Sequence, residues 1–537
     1  MADGLAAHPG SAELHNSAGS LFQRGGAHGE AEQHFAQAAR LAPANPEFVI
    51  NRAIALNSMK RPDAALGLLR QVEKACTGQA RYWSVRGASE QGSRRLREAR
   101  ASYERCLALQ PGHPRAVHSL ARIALEMGDG AASRQFDAAI RANPGDPSPW
   151  LGKAQALDVD GDHAAARSIM EQVAQQAPGW TEGLAFLTQL RLAAGDDDPC
   201  THYAEAASRH PADPNIPFAH VEALSGLNRN ADAAAIAAEA RRRFPAHPAF
   251  MLLEALHAST AGDEARAEDL FASLTLDTLD RHIHEARHRI RRGEFETAAA
   301  HLDTALQREP WDISAWALRG IVWRMTGDPR AQWLHGQEGM VQKLPLDGAD
   351  DLVGRSVAYL RELHAGSPFP LGQSLRGGTQ TRGILFDRSE PILEELHAAI
   401  RTAVHSYRRN LPAPDPAHPL LRHAGSELRL EGSWSVRLTG GGDYHASHIH
   451  PQGILSSALY LVVPDDAEDE EARSGWLEIG RPPPDLRLDL EPLDAVQPEP
   501  GYLALFPSYL YHGTAPFGDA ERMTVAFDVI AVPELAE

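Results

Sequence analysis

A proline-bearing turn that returns at a fixed interval constrains this chain more than any other feature. It occurs in "LAPANP" at Pro43, "LQPGHP" at Pro111, "ANPGDP" at Pro144, "QAPGW" at Pro178, "RHPADP" at Pro211, "RFPAHP" at Pro245 and "REPWDI" at Pro310. The spacing is about 33 or 34 residues, or close to twice that where one turn has lost its proline, and a period of this length marks a helical solenoid. Other positions keep the same register. Ala31, Ala65, Ala99, Ala132, Ala166, Ala233 and Ala298 lie about 12 residues before each turn, where two helices approach too closely for a larger side chain. Phe35, Tyr103, Phe136 and Tyr203 lie about 8 before it, where a ring fills the groove between hairpins.

With small, aromatic and proline positions in phase, residues 12–345 resemble tetratricopeptide repeats, about eight or nine copies of them. The resemblance implies an all-α right-handed superhelix whose concave face binds a peptide or a protein surface. A spacer or dimerisation arm without a ligand is the plainer alternative. Residues 1–11 read as a flexible N-terminus. Inside the array, "LDRHIHEARHRI" carries a His-x-His pair, His282 and His284, but residues two apart on a helix point about 200° away from each other and cannot chelate one ion. His284 and His288 share a face, which reads as a solvated one.

From "LPLDGADD" onward the rhythm stops. One more helical segment follows, "EPILEELHAAIRTAVHSYRRNL", and then short runs rich in β-branched and aromatic residues: "SELRLEGSWSVRL", "ILSSALYLVV", "GWLEIG", "GYLALFPSYLYHG" and "RMTVAFDVIAV". Bounded by Gly, Pro or Asp, they predict a mainly-β sandwich or jelly roll over residues 346–537 with flanking helices. The glycine-rich stretches "GGTQT" and "TGGGD" lack a following GK[ST] helix and read as turns rather than phosphate loops.

A second His-x-His pair, His448 and His450, falls in this part. The chain has 26 histidines in 537 residues, and chance alone supplies roughly one such pair in so histidine-rich a sequence. Composition therefore leaves a metal site open without establishing it. In an extended strand His448 and His450 share a face while His445 points elsewhere. "FPSYLYHGTAPFGDAERMTVAF" offers a third ligand: His512 ends a strand, "TAPFGDA" turns, and Arg522 returns on the next strand, alternating with Thr524 and Ala526.

His448-x-His450, the "SSALYL" strand, "GYLALFPSYLYHGT" and Arg522 together resemble the double-stranded β-helix of Fe(II)/2-oxoglutarate oxygenases, in particular the bacterial ones joined to tetratricopeptide repeats. The resemblance implies a 2-oxoglutarate-dependent non-haem iron dioxygenase, a hydroxylase that uses molecular oxygen. By that resemblance His448 and His512 match the two iron-binding histidines, Arg522 the arginine that pairs with the far carboxylate of 2-oxoglutarate, and Tyr460 a tyrosine that hydrogen-bonds the same carboxylate. Arg437 on the "SVRL" strand is the next candidate for the clamp. The family usually has Asp or Glu where this chain has His450. Either His450 or Asp443 is then the third ligand.

The substrate expected from the fusion is a protein or peptide delivered along the repeat groove to His448, His450, His512 and Arg522. Two other readings remain: a three-histidine iron dioxygenase that needs no 2-oxoglutarate, and a repeat scaffold with an inactive barrel. The formal charge is −19, most of it after residue 346 where there is no lysine, which argues against a nucleic-acid partner. The start lacks a basic and apolar leader pattern, no run is apolar enough to span a membrane, and the three cysteines Cys76, Cys106 and Cys200 form no CxxC, so a cytoplasmic protein is expected.

Overall fold

The computed structural model describes residues 2–367, 375–440 and 443–532. The last five residues of the expected β domain and two glycines of the "TGGGD" stretch lie outside them. The chain divides into two compact units, Met1–Ile169 and Met170–Glu537.

The first unit consists of helices joined by the short turns that the prolines mark. After a short helix at Ala2–Ala7, hairpins follow from Ala12–Arg24 and His28–Leu41 onward to Ser148–Val159. Proline opens several helices, as at Pro46 and Pro114, where its missing N–H is one that no intrahelical carbonyl would have accepted. The phased alanines do what their spacing demands: Ala31, Ala65 and Ala99 are fully buried. A Cβ on Gly87 would sit 3.0 Å from the ring of Tyr103, which explains why one helix offers glycine where the next offers an aromatic ring.

The second unit continues the hairpins to Arg330–His335 and then changes architecture. Its strands are β1 (Gln342–Pro345), β2 (Leu375–Arg376), β3 (Thr379–Gln380), β4 (Leu428–Leu438), β5 (Tyr444–His445), β6 (Leu455–Val462), β7 (Leu477–Ile479), β8 (Asp494–Val496), β9 (Tyr502–Pro507), β10 (His512–Thr514) and β11 (Arg522–Ala531). A large antiparallel sheet has the order β1-β9-β6-β11-β4-β3, and a small one β10-β7-β8. This is the mainly-β, jelly-roll-like unit that the pattern change predicts. Helices Ala349–Ala365 and Pro391–Arg409 cover one face of the large sheet, burying Leu360, Leu396, Ile400 and Tyr407 against Leu459, Leu503, Val525 and Phe527.

The solenoid's helices end at His335, and Gln342–Pro345 already belongs to the large sheet, paired with β9. One hydrophobic cluster runs without a break from Ile283 and Ile290 through Trp323, Leu334 and Met340 to Phe506 and Val529. The helix Leu279–Arg291 is correspondingly no solvated face. His282 and His288 are both buried, His288 bonded to Ser259 at 2.8 Å and to Glu268 at 3.2 Å, because the neighbouring repeat helices Ala249–Ala261 and Glu264–Ser273 pack over it. Among the described residues no helix is long and apolar enough to cross a membrane.

Candidate functional site

The inner face of the large sheet follows from its register. Cross-strand partners share a face, so Arg522 opposite Leu438, Thr524 opposite Val436 and Tyr460, and Ala526 opposite Trp434 all line it. Between Phe527 and Asp528 the pairing with β4 slips by one residue, and the extra residue is Gly432, with φ +65°. Glycine adopts that left-handed backbone without the clash a Cβ brings, so the bulge sits in β4. The alternation of β11 is undisturbed, and Asp528 stays on the face of Arg522, Thr524 and Ala526.

His512 opens β10 rather than ending a strand. The extended run breaks after Pro507, whose nitrogen cannot donate to a ladder, and the chain crosses from the large sheet to the small one before His512 pairs with Ile479. His448 is tied to it by two backbone hydrogen bonds, 3.0 Å from its N–H to the His512 carbonyl and 2.9 Å in return. A side chain at Gly513 would lie 2.9 Å from the His445 carbonyl, so this close approach requires glycine.

Three imidazoles meet there. His448, His450 and His512 each offer a ring nitrogen within 4.8 Å of the other two. Each ring is oriented through Nδ1: His448 toward the Ala446 carbonyl at 2.8 Å, His512 toward the Leu510 carbonyl at 3.1 Å, and His450 toward the Asp528 carboxylate. Carbonyls only accept, so Nδ1 carries the proton and Nε2 the lone pair. Nε2 of His448 and Nε2 of His450 are 3.0 Å apart. Two lone pairs facing each other at that distance repel unless a cation or a proton lies between them. Metal–nitrogen bonds of about 2.1 Å at a right angle place two nitrogens about 3 Å apart, so the pair suits adjacent positions on one ion. Burial, reinforced by His448 and His450, holds the His512 imidazole well below its usual pKa, which keeps it unprotonated.

Arg522 is 4% exposed. Its Nε donates to the Gly475 carbonyl at 3.1 Å and its guanidinium carbon lies 5.7 Å from the centroid of the Tyr460 ring, yet it makes no ion pair with a carboxylate among the described residues. Burial lowers its pKa from the ordinary arginine value. Tyr460 is fully buried and its hydroxyl has no hydrogen-bond partner among those residues. Buried cations and hydroxyls are nearly always satisfied, so a cation and an orphaned donor on one face form a ready site for an anion.

The remaining candidates are not brought in. Arg437 donates to Glu521 at 2.7 Å and is already paired. Asp443 accepts from the Thr439 N–H at 3.1 Å, which closes its own turn. His445 lies beside the cluster without joining it, its ring edge-on to His448 at 5.4 Å between centroids. Asp528 is the residue that sequence reasoning missed; extending the alternation Arg522, Thr524, Ala526 by one step reaches it.

Comparisons with known proteins agree with this division. Residues 432–528 match a family model described as "Putative 2OG-Fe(II) oxygenase", a span that holds every residue of the cluster and ends on Asp528. Tetratricopeptide-repeat models match residues 24–88, and 85–147, 118–179 and 218–279. No curated protein matches the chain. Similar solved structures include pilF of Pseudomonas aeruginosa, with 19% identity over 38% of this chain and 93% of that one at a TM-score of 0.32. A tetratricopeptide repeat protein of Parabacteroides merdae shows 15% identity over 55% and 92% at 0.27. A thermophilic repeat protein of Thermus thermophilus shows 14% over 34% and 100% at 0.31. The chain thus joins segments that match tetratricopeptide-repeat models to a segment, residues 432–528, that matches the 2OG-Fe(II) oxygenase model.

Proposed function

We propose that this chain is an Fe(II)- and 2-oxoglutarate-dependent dioxygenase that hydroxylates a protein or peptide substrate recruited by its repeats. One observation carries the reading: a buried guanidinium without a carboxylate and an orphaned tyrosine hydroxyl share a face of the sheet whose far end holds one of three converging imidazoles in place. His448, His450 and His512 would hold the iron. Arg522, with Tyr460, would hold the far carboxylate of 2-oxoglutarate, the guanidinium as a two-pronged donor. The iron, loaded with 2-oxoglutarate and oxygen, supplies the oxidation of a C–H bond to an alcohol while the co-substrate leaves as succinate and carbon dioxide.

The protein's own contribution is orientation and charge. Two backbone carbonyls and one carboxylate orient the three imidazoles through Nδ1, so that Nε2 is the atom each would offer to a cation. Three neutral imidazoles would leave a divalent ion at +2, whereas the usual carboxylate ligand reduces it to +1. Asp528 restores the missing negative charge one imidazole further out.

A three-histidine dioxygenase that ignores 2-oxoglutarate would give Arg522 and Tyr460 no ligand. An inactive scaffold would give the convergent tautomers no purpose. The protein substrate rests on the repeats, and a cytoplasmic setting on cysteines that are all free and buried. Conversion of 2-oxoglutarate to succinate by the iron-loaded full chain tests the reading. The conversion is expected in the parent and absent in His512→Ala, and a parent that binds iron but never consumes 2-oxoglutarate refutes it.

A further inference from the structure

The strands that carry His512 are gripped from outside by helices of the repeat segment. Arg287, on the helix Leu279–Arg291, donates to the Tyr511 hydroxyl at 3.0 Å and to both carboxylate oxygens of Asp485 at 2.8 and 2.7 Å. One turn later Arg291 donates to the Asp485 carboxylate at 2.7 Å and to its backbone carbonyl at 2.8 Å. Asp485 belongs to the segment that links β7 to β8. At the start of that segment the Gly480 N–H donates to the Tyr511 carbonyl at 2.6 Å, and the Gly480 carbonyl accepts from Arg324 of the helix Ile313–Thr326.

Tyr511 directly precedes His512, and successive side chains of an extended segment point to opposite faces. A tyrosine held by its hydroxyl therefore sets the rotation of the segment and with it the direction of His512. His448 rides on His512 through their paired backbone hydrogen bonds, whereas His450 is held from the large sheet by Asp528. Two of the three imidazoles are thus referenced to the repeat helices and the third to the sheet.

We propose that Arg287, Asp485 and Tyr511 are positioning residues for His512, so that the repeat helix Leu279–Arg291 is a working part of the metal centre and not only a route to it. This rests on the reading of the three histidines as metal ligands. The guanidinium of Arg287 is suited to the task because one terminal nitrogen serves both oxygens of the Asp485 carboxylate while the other donates to the tyrosine hydroxyl.

Anaerobic titration of the full-length protein with Co(II), read by its ligand-field absorption and by competition with a chelator, tests the proposal. Tyr511→Phe and Asp485→Asn are expected to bind Co(II) about 10- to 100-fold more weakly than the parent and with an altered spectrum, the usual cost of losing a group that orients a ligand. Arg487→Gln, which removes the exposed bond from the same segment to Glu264, is expected to match the parent. Asp485→Asn can fail to fold, whereas Tyr511→Phe removes a single hydroxyl. Parent affinity and parent spectrum in Tyr511→Phe overturn the positioning role while leaving the ligands in place. A parent that takes up Co(II) no better than His512→Ala overturns the ligand assignment itself, and the positioning role with it.

Discussion

Replacing Arg522 by alanine is expected to leave metal affinity near that of the parent and to weaken 2-oxoglutarate binding by at least about 2 kcal/mol, because a buried anion would lose its only charged partner. Arg522→Lys should recover part of this, since an ammonium cannot form the fork. Arg437→Ala should change co-substrate binding little, its guanidinium being committed to Glu521. Calorimetric titration of 2-oxoglutarate into the Mn(II)-loaded proteins ranks the three, and equal affinity in parent and Arg522→Ala would move the clamp elsewhere. His450→Ala should lower metal affinity by removing a chelating arm, and Asp528→Asn by about 10- to 100-fold through the ring it orients. Metal competition assays that find both variants at parental affinity would leave a two-histidine centre. The three histidines were legible as candidates and do converge, although His448 and His450 lie between strands rather than on one, and Arg522 opens β11 as its alternation predicts. Asp528 lies one further step along the alternation of Arg522, Thr524 and Ala526, but nothing in the strand pattern marks it as the partner of His450, a contact made between segments far apart in sequence.

Elements were predicted better by type than by boundary. The long strands β4, β6 and β11 and the helix Pro391–Arg409 lie where alternation and helical periodicity put them. The crossing between sheets before His512, the strand Gln342–Pro345 and the helix Ala349–Ala365 were missed. Each depends on what a short segment packs against, which local pattern does not report. The helix Ala349–Ala365 is fastened to the large sheet by His364, whose ring bonds Thr379 at 2.9 Å on one side and Ser435 at 3.0 Å on the other. Burial pushes the His364 imidazole down to about 4, with Arg437 adding to the effect. Its unfolded pKa is the ordinary 6.5, so below that pH the unfolded state takes up a proton that the folded state refuses. This contribution to stability is complete above about pH 6.5 and declines as pH falls toward about 4, by about 1.4 kcal/mol for each unit of depression. Melting temperatures measured between pH 7.5 and 5 should fall more steeply for the parent than for His364→Gln. Identical slopes would show that His364 does not carry the linkage.

At the scale of the whole molecule, the change from a 34-residue period to short alternating runs was legible because each pattern has its own geometry. The way the last repeats and the sheets share one core was not, because it depends on surfaces far apart in sequence, such as Ile290 and Phe506. A fragment of residues 346–537 would expose the apolar side chains that Ile283, Ile290, Trp323 and Leu334 cover, whereas residues 170–537 retain them. The shorter fragment is expected to aggregate or remain unfolded and the longer one to melt cooperatively, as circular dichroism and gel filtration would report; a monomeric, cooperatively folded 346–537 would contradict the shared core. In the proposed centre three histidines hold iron and Arg522 awaits 2-oxoglutarate. Anaerobic titration of the full chain with Fe(II) and then 2-oxoglutarate, followed in the visible for the weak charge-transfer band of a chelated keto acid, tests it most directly. The band should grow to saturation with one equivalent of iron in the parent, need far more 2-oxoglutarate in Arg522→Ala, and be absent in His512→Ala. A parent that binds Fe(II) yet shows no band at any 2-oxoglutarate concentration would contradict it.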